Sequence, residues 1–195
     1  MLILYVALSY LLGSISGSLI LGKLWKVDIR DLGSGNAGGT NALRSVGILF
    51  GLLTFIIDVT KGIIPAYLTQ ESLPIMLLCG FAAMLGHVYP IFYNFKGGKG
   101  AGTLLGVLIV ALPISILYII STWCIVLVLT GYVGLSTMLA ISSLLVYSMI
   151  YTSYPFIIFS AFAFLFIIYT HRSNIQRMKE RNENQFSKVM IFKRK

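Results

Sequence analysis

Residues 101–131, AGTLLGVLIVALPISILYIISTWCIVLVLTG, run for 31 residues without a charge. As one helix the stretch would be about 46 Å long, against about 30 Å of bilayer hydrocarbon. Pro113 stands near its middle, where proline would remove a helix hydrogen bond and clash with the preceding turn. The run therefore reads as two spans, 103–112 and 114–131, the first unusually short. That choice decides the topology outside it. Lys and Arg accumulate in cytoplasmic loops, and 14 of the 15 here lie in residues 23–45, in 96–102 and in the tail from 171. One long span would send the tail to the face opposite Lys23 and Arg44. Two spans bring every island to one side.

Working outward, further apolar runs cover 2–22, 46–68, 73–95, 133–150 and 155–170. The chain is 57% hydrophobic and 11% charged, with a mean hydropathy of +0.90. A soluble domain of this size leaves roughly a quarter or more of its surface in water, too much for such a composition. Helices are the expected spanning element, because backbone polar groups in lipid must be bonded internally and no alternating barrel strands occur. The expectation is an all-α integral membrane protein with seven transmembrane helices, N-terminus outside and C-terminus cytoplasmic, forming one domain over 1–195. The connections at 69–72, 113 and 151–154 face outward and carry no Lys or Arg. The N-terminus has no basic leader and no small-residue cleavage site, so it reads as an anchor. Cys79 and Cys124 lie in apolar runs and behave as small hydrophobes. No metal-ligand spacing occurs, so neither metal nor cofactor is expected. The net charge of +9 lies beside the spans, which fits topology and anionic lipid headgroups and makes nucleic acid an unneeded partner.

Chemistry concentrates in the polar islands. Residues 33–44 read GSGNAGGTNALR. Gly33, Gly35 and Gly38 satisfy the dinucleotide pattern, with Asp58 at the expected distance, but no soluble strand precedes them and Asp58 lies in an apolar helix, so that reading fails. What remains is a glycine-rich turn with Ser34, Gly35, Asn36, Thr40, Asn41 and Arg44 as anion-binding candidates. Its plain alternative is a flexible interfacial loop. Residues 95–103, FKGGKGAGT, set Lys96 and Lys99 among four glycines. A P-loop needs Ser or Thr directly after its Lys, and Gly100 stands there. Backbone at Gly97, Gly98 and Gly100 could still approach a phosphate while ammonium groups neutralise it.

Other polar residues are costly in a membrane. Asp58 and Lys61 lie three apart on one helical face and can pair or support the loops. His87 precedes Pro90 in an apolar run. His171 and Asn174 are three apart at the inner end of the last span, and His171 could bind phosphate or move a proton.

Together these residues resemble the acyl-phosphate-dependent glycerol-3-phosphate acyltransferases of bacterial membranes. The resemblance rests on Ser34-Gly-Asn-x-Gly-x-Thr-Asn-x-x-Arg44, Asp58-x-x-Lys61-Gly62, Gly86-His87, Phe95-Lys-Gly-Gly-Lys-Gly100 and His171-Arg-x-Asn174-Ile-x-Arg177, in order through nearly the whole chain. It implies transfer of a fatty acyl group from acyl phosphate to the 1-hydroxyl of glycerol 3-phosphate, giving lysophosphatidate and inorganic phosphate, on the inner face of the bacterial cytoplasmic membrane. By position it assigns Ser34, Arg44, Lys99 and His171 to catalysis and Thr103 and Asn174 to phosphate binding, with Glu183 in support. Departures are Gly102 before Thr103, Ser173 for an acidic residue, and Arg181 for a common glycine. The serines expected after Tyr132 and Val133 fall on Gly134, Ser136 and Thr137, leaving the contributing hydroxyl open.

The chemistry needs no enzyme nucleophile, because acyl phosphate is already activated. It needs two anions held together, which clustered cations do. The proton acceptor is either a donor phosphate oxygen or His171. No obligatory protein partner is implied beyond membrane lipids and the two substrates. The competing expectation is a transporter of a phosphorylated solute, which would carry paired broken helices at the bilayer midplane.

Overall fold

The computed structural model describes residues 1–186 and 189–191. Lys188, Lys193, Arg194 and Lys195, which the sequence counts toward the inner-face charge, lie outside the described residues. Ten α-helices occur among the described residues, and they fall into two compact units, Met1–Leu112 and Pro113–Lys195. The division falls at Pro113, where the uncharged run breaks.

In the first unit the expected span 2–22 is two helices, α1 (Leu2–Gly13) and α2 (Gly17–Trp25). The interruption has a local cause. The Ser14 hydroxyl donates to the Tyr10 carbonyl at 2.9 Å, competing with the ladder. Ser16 is extended (φ −88°, ψ 116°) and restarts the helix. A short helix follows, α3 (Gly39–Ser45), inside what reads from sequence as a loop. Then come α4 (Ile48–Leu68), α5 (Leu73–Val88) and α6 (Ala101–Ala111). The helix α5 stops seven residues short of the expected 95. Pro90 sits just beyond it, and a 3₁₀ turn over Ile91–Tyr93 replaces the last part of the run.

The helix α4 is the spine of this unit, packed on α2, α3, α5 and α6, while α1 lies mainly on α5. Closest approach between α4 and α6 depends on two glycines. A Cβ at Gly62 would overlap the Thr103 carbonyl, and one at Gly106 would overlap the Val59 carbonyl. Small residues allow such contact where the lipid gives no hydrophobic drive for helix pairing.

The second unit holds α7 (Ser115–Thr130), α8 (Val133–Tyr151), α9 (Tyr154–Thr170) and α10 (Arg172–Lys179). The helix α8 packs between α7 and α9, and a buried Ser148–Ser160 hydrogen bond of 2.7 Å joins α8 to α9. At His171 the chain bends by 51° from α9 into α10.

Four segments are long and apolar enough to cross a membrane: Leu2–Trp25 taken together, Ile48–Leu68, Leu73–Tyr93 and Val133–Tyr151; the bent α9–α10 pair passes as a fifth. Ala101–Ala111 and Ser115–Thr130, at 11 and 16 residues, are shorter apolar helices.

Candidate active site

In the first unit, loop 1 (residues 33–44) is built around a side chain that points inward. Asn41 is buried at 4% exposure, and its Nδ2 donates to the carbonyls of Leu32 at 2.9 Å and of Ile29 and Asn36 at 3.1 Å. Its Oδ1 accepts from the Ser34 N–H at 2.9 Å. The amide is thus engaged within the loop, so Asn41, expected to contact ligand, instead shapes the loop. Gly33 (φ +57°) makes this possible, since a Cβ there would overlap Asn41 Oδ1. The buried Ser18 hydroxyl ties the loop to α2 through the Ala37 carbonyl at 2.8 Å. Gly35 and Thr40 are exposed, and Ser34, Asn36 and Arg44 are half-buried.

Loop 2 (residues 95–103) is held by its backbone. The Gly98 N–H donates to the His87 carbonyl at 3.1 Å and the Gly97 N–H to the Val88 carbonyl at 3.2 Å. These two amides were expected to cradle phosphate, but they close the C-terminal end of α5. Gly97 and Gly98 permit close approach of backbone to α5, as a Cβ at either would overlap His87. The amides left for an anion are those of the first turn of α6. Its cap is Gly100 (φ +90°), with no side-chain hydrogen bond to that turn. Lys96 is exposed and Lys99 half-buried. Thr103 is fully buried, and its hydroxyl has no hydrogen-bond partner among the described residues.

The two loops come beside one residue of α4. Phe55 on α4 lies within 3.5 Å of a Cβ position at Gly39, where α3 begins, and within 3.9 Å of one at Gly102, where α6 begins. Sequence reading missed Phe55, which looks like any lipid-facing aromatic in an apolar helix. Arg30 adds a second link through the Tyr93 carbonyl at 3.5 Å. Arg30 also pairs with Asp28 at 2.6 Å, and that guanidinium holds the Asp28 carboxyl below its usual range while Asp28 raises Arg30.

Beneath loop 2 lie the buried charges. Lys61 Nζ is 3.0 Å from Asp58 Oδ1, and His87 Nδ1 is 3.5 Å from the same oxygen. Lys61 also donates to the Ile15 carbonyl at 2.8 Å, the group freed by the interruption between α1 and α2. Asp58 is thereby an ion-pair partner within the helix bundle, far in role from the ribose acid of a dinucleotide fold.

In the second unit a carboxylate is the centre. Glu183, with its side chain 3% exposed, accepts from Asn174 Nδ2 at 2.9 Å and from Arg177 Nε at 2.7 Å. Both donors stand on α10, so Glu183 folds the following chain back and orients them. His171 is buried at the joint, and its Nδ1–H donates to the Ile167 carbonyl at 2.8 Å. A carbonyl can only accept, so the neutral ring keeps its lone pair on Nε2. Gly134, at the start of α8, leaves the space that Asn174 fills. The hydroxyls expected nearby are bonded back to their own helix, Ser136 to the Tyr132 carbonyl at 2.8 Å and Thr137 to that of Val133 at 2.9 Å. Thr137 additionally accepts from Trp123 Nε1 at 3.3 Å, which draws it toward α7.

Known proteins resemble this chain in sequence and in fold. A family model described as glycerol-3-phosphate acyltransferase matches residues 3–181. A glycerol-3-phosphate acyltransferase of Finegoldia magna is 44% identical over 193 residues, covering 96% of this chain and 97% of that protein. Glycerol-3-phosphate acyltransferase 2 of Bacillus anthracis is 43% identical over 188 residues, covering 94% and 98%. The crystal structure of PlsY (YgiH), an integral membrane glycerol 3-phosphate acyltransferase, in its glycerol 3-phosphate form aligns with a TM-score of 0.90 at 35% identity over 95% of each chain. Matched by the family model over residues 3–181, by relatives of the same length and by a solved structure of the same fold, the chain belongs to the glycerol-3-phosphate acyltransferase family.

Proposed function

We propose that this protein transfers a fatty acyl group from acyl phosphate to the 1-hydroxyl of glycerol 3-phosphate, giving 1-acyl-glycerol 3-phosphate and inorganic phosphate. One observation carries the reading: both glycine-rich loops come beside Phe55 of α4, one at Gly39 and the other at Gly102, so Ser34, Arg44 and Lys99 belong to elements that meet at one place on α4. Two substrate anions need such convergent cations before their reacting atoms can meet. In the step itself the hydroxyl oxygen forms a bond to the acyl carbon. The bond from that carbon to the phosphate oxygen breaks, and phosphate leaves with the electron pair.

The first-turn amides of α6, with Lys96 and Lys99, bind one phosphate group. Ser34, Gly35, Asn36, Thr40 and Arg44 approach the other from loop 1. Within the second unit Glu183 holds Asn174, with His171 at the bend that leads into α10. The hydroxyl proton passes to an oxygen of the donor phosphate, and His171 acts through hydrogen bonding. His171→Asn should then keep measurable turnover, with its main defect in substrate affinity. An Asn variant that binds both substrates normally but does not turn over would assign the proton to His171 instead.

In this reading Leu2–Trp25 is one interrupted span, and α4 to α9 supply six more. The N-terminus is outside and the C-terminus cytoplasmic, so the polar islands meet the cytoplasmic surface of the bacterial inner membrane. Single cysteines at Thr40, Lys96 and Asn182 should label only from the cytoplasm, and one at Gln70 only from outside.

The decisive experiment supplies purified protein with palmitoyl phosphate and glycerol 3-phosphate and follows phosphate and lysophosphatidate together. Release of both in equal amounts is expected, with no comparable turnover of palmitoyl coenzyme A. Equal use of the thioester would overturn the donor assignment. One feature favours a second reading, since an interrupted span is a device of transporters. Here the freed Ile15 carbonyl is held by Lys61. Uptake of glycerol 3-phosphate into liposomes without acyl phosphate would support transport.

A further inference from the structure

We propose that Asp58, Lys61 and His87 are positioning residues that fix loop 2 against the interruption in the first span, and so set affinity for the phosphate group bound there. The three side chains are each about 4% exposed. Burying charges costs more than their attraction returns unless the geometry is well satisfied. Here the three side chains tie four chain segments together, although Asp58 Oδ1 and His87 Nδ1 face each other without a well-aligned hydrogen bond. Lys61 donates to the Ile15 carbonyl at 2.8 Å and lies 3.0 Å from Asp58. Asp58 faces His87 Nδ1 at 3.5 Å. The opposite edge of that imidazole lies against Gly98, where a Cβ would overlap Nε2 and stand 2.7 Å from Cε1. The His87 carbonyl also receives the Gly98 N–H.

The linkage returns to its origin. Ser14 Oγ accepts from the Ile91 N–H at 3.4 Å, and the Tyr10 hydroxyl donates to the Tyr89 carbonyl at 2.7 Å. The exit of α5, just after His87, is thus joined to the end of α1 at two points. Lys99 and the Gly100 cap of α6 follow directly on Gly98. Any tilt of the imidazole displaces the residues that meet phosphate, while the acyl carbon and its attacking hydroxyl need never touch the three side chains.

The readout rests on the acyl-transfer reading, so the test carries an activity-independent arm. Gly98→Ala, His87→Ala and the double variant are compared for KM of each substrate, for kcat, and for the concentration of inorganic phosphate that protects against thermal unfolding. Gly98→Ala should raise one KM by about tenfold or more, equivalent to roughly 1.4 kcal/mol. The double variant should fall back toward His87→Ala, because deleting the ring removes the overlap. Additive losses would overturn the proposal, since uncoupled residues give additive effects. Whichever KM moves identifies which substrate's phosphate loop 2 holds. If the wild type does not release phosphate, the acyl-transfer reading falls, and the phosphate-protection cycle decides the positioning role alone. Should Gly98→Ala fail to fold, Asp58→Asn with Lys61→Met removes both charges together. That pair should raise KM several-fold with kcat within about twofold, by the rule that lost uniform binding appears in KM. A fall in kcat with KM unchanged would overturn the proposal.

Discussion

Loop 1 and loop 2 are both rich in glycine, both carry cations and both come beside Phe55, yet they are held in opposite ways. Loop 1 is wrapped around a polar side chain, with Asn41 bonding backbone groups from Ile29 to Asn36. Loop 2 has no such centre. It is zipped by its own amides to the end of α5 and seated on the His87 ring. A hydrogen-bonded hub fails when its donors are removed, whereas a packed seat fails when volume is added. Glycine therefore has two different tasks in the two loops. At Gly33 it supplies a left-handed backbone and room for an amide, and at Gly98 it supplies only the absence of a side chain.

The largest effect should come from what the loops share. Arg44→Ala and Lys99→Ala should each lower kcat/KM by about two orders of magnitude or more, since a charged hydrogen bond is worth roughly 1.5–3 kcal/mol before transition-state gains. Arg44→Lys should recover little, because an ammonium cannot reproduce a planar two-pronged grip. Steady-state kinetics with both substrates varied checks this. If only one of the two losses is large, the loops do not divide the substrate charge as proposed.

A smaller effect separates them. Asn41→Ala leaves the carbonyls of Ile29, Leu32 and Asn36 without this donor and the Ser34 N–H without its acceptor. The expected cost is about 2–4 kcal/mol in stability, read by thermal or chemical unfolding, with a raised KM. Asn41→Asp should fail nearly as badly, as it keeps the acceptor and loses both donors. A silent Asn41→Ala would mean that packing holds loop 1 as well, and the contrast with loop 2 would disappear.

These contrasts mark what could be read from the chain. Apolar runs, charge islands and Pro113 revealed the helical membrane architecture, and the three-residue spacing of Asp58 and Lys61 anticipated their ion pair. Composition, however, does not reveal which way a polar side chain points. Asn41 counted as a ligand donor because donors in a glycine loop are indistinguishable until the fold turns some inward. The helix α3 was hidden for a related reason: Gly38 and Gly39 read as turn, while Thr40 to Ser45 are acceptable helix residues once packed on α4. The interruption at Ser14 to Ser16 left no mark in hydropathy, since serine is tolerated in spanning helices. His87 and Gly98 meet across 11 positions of sequence and two elements, beyond the reach of any local pattern.

The smallest effect concerns the third way of holding a site, the carboxylate centre of the second unit. The helix α10 ends with the Asn182 N–H bonded to the Arg177 carbonyl at 2.8 Å and the Arg181 N–H to that of Met178 at 3.2 Å. This is a Schellman closure, whose penultimate position takes a left-handed residue and usually glycine. Here that residue is Arg181, at φ +57°, the position where family resemblance leads one to expect glycine. A non-glycine residue in this region costs roughly 1–2 kcal/mol, offset in part by the greater freedom glycine has when unfolded. Arg181→Gly should therefore stabilise the protein by about 0.5–1 kcal/mol, seen as a higher thermal midpoint. Activity should change little, because Glu183 already fixes Asn174 and Arg177. Arg181→Ala is the discriminating control, as it removes the charge and keeps a Cβ at the strained position. A gain from glycine alone assigns the cost to backbone. An equal gain from alanine would place it in the charge, one more cation on an already basic segment.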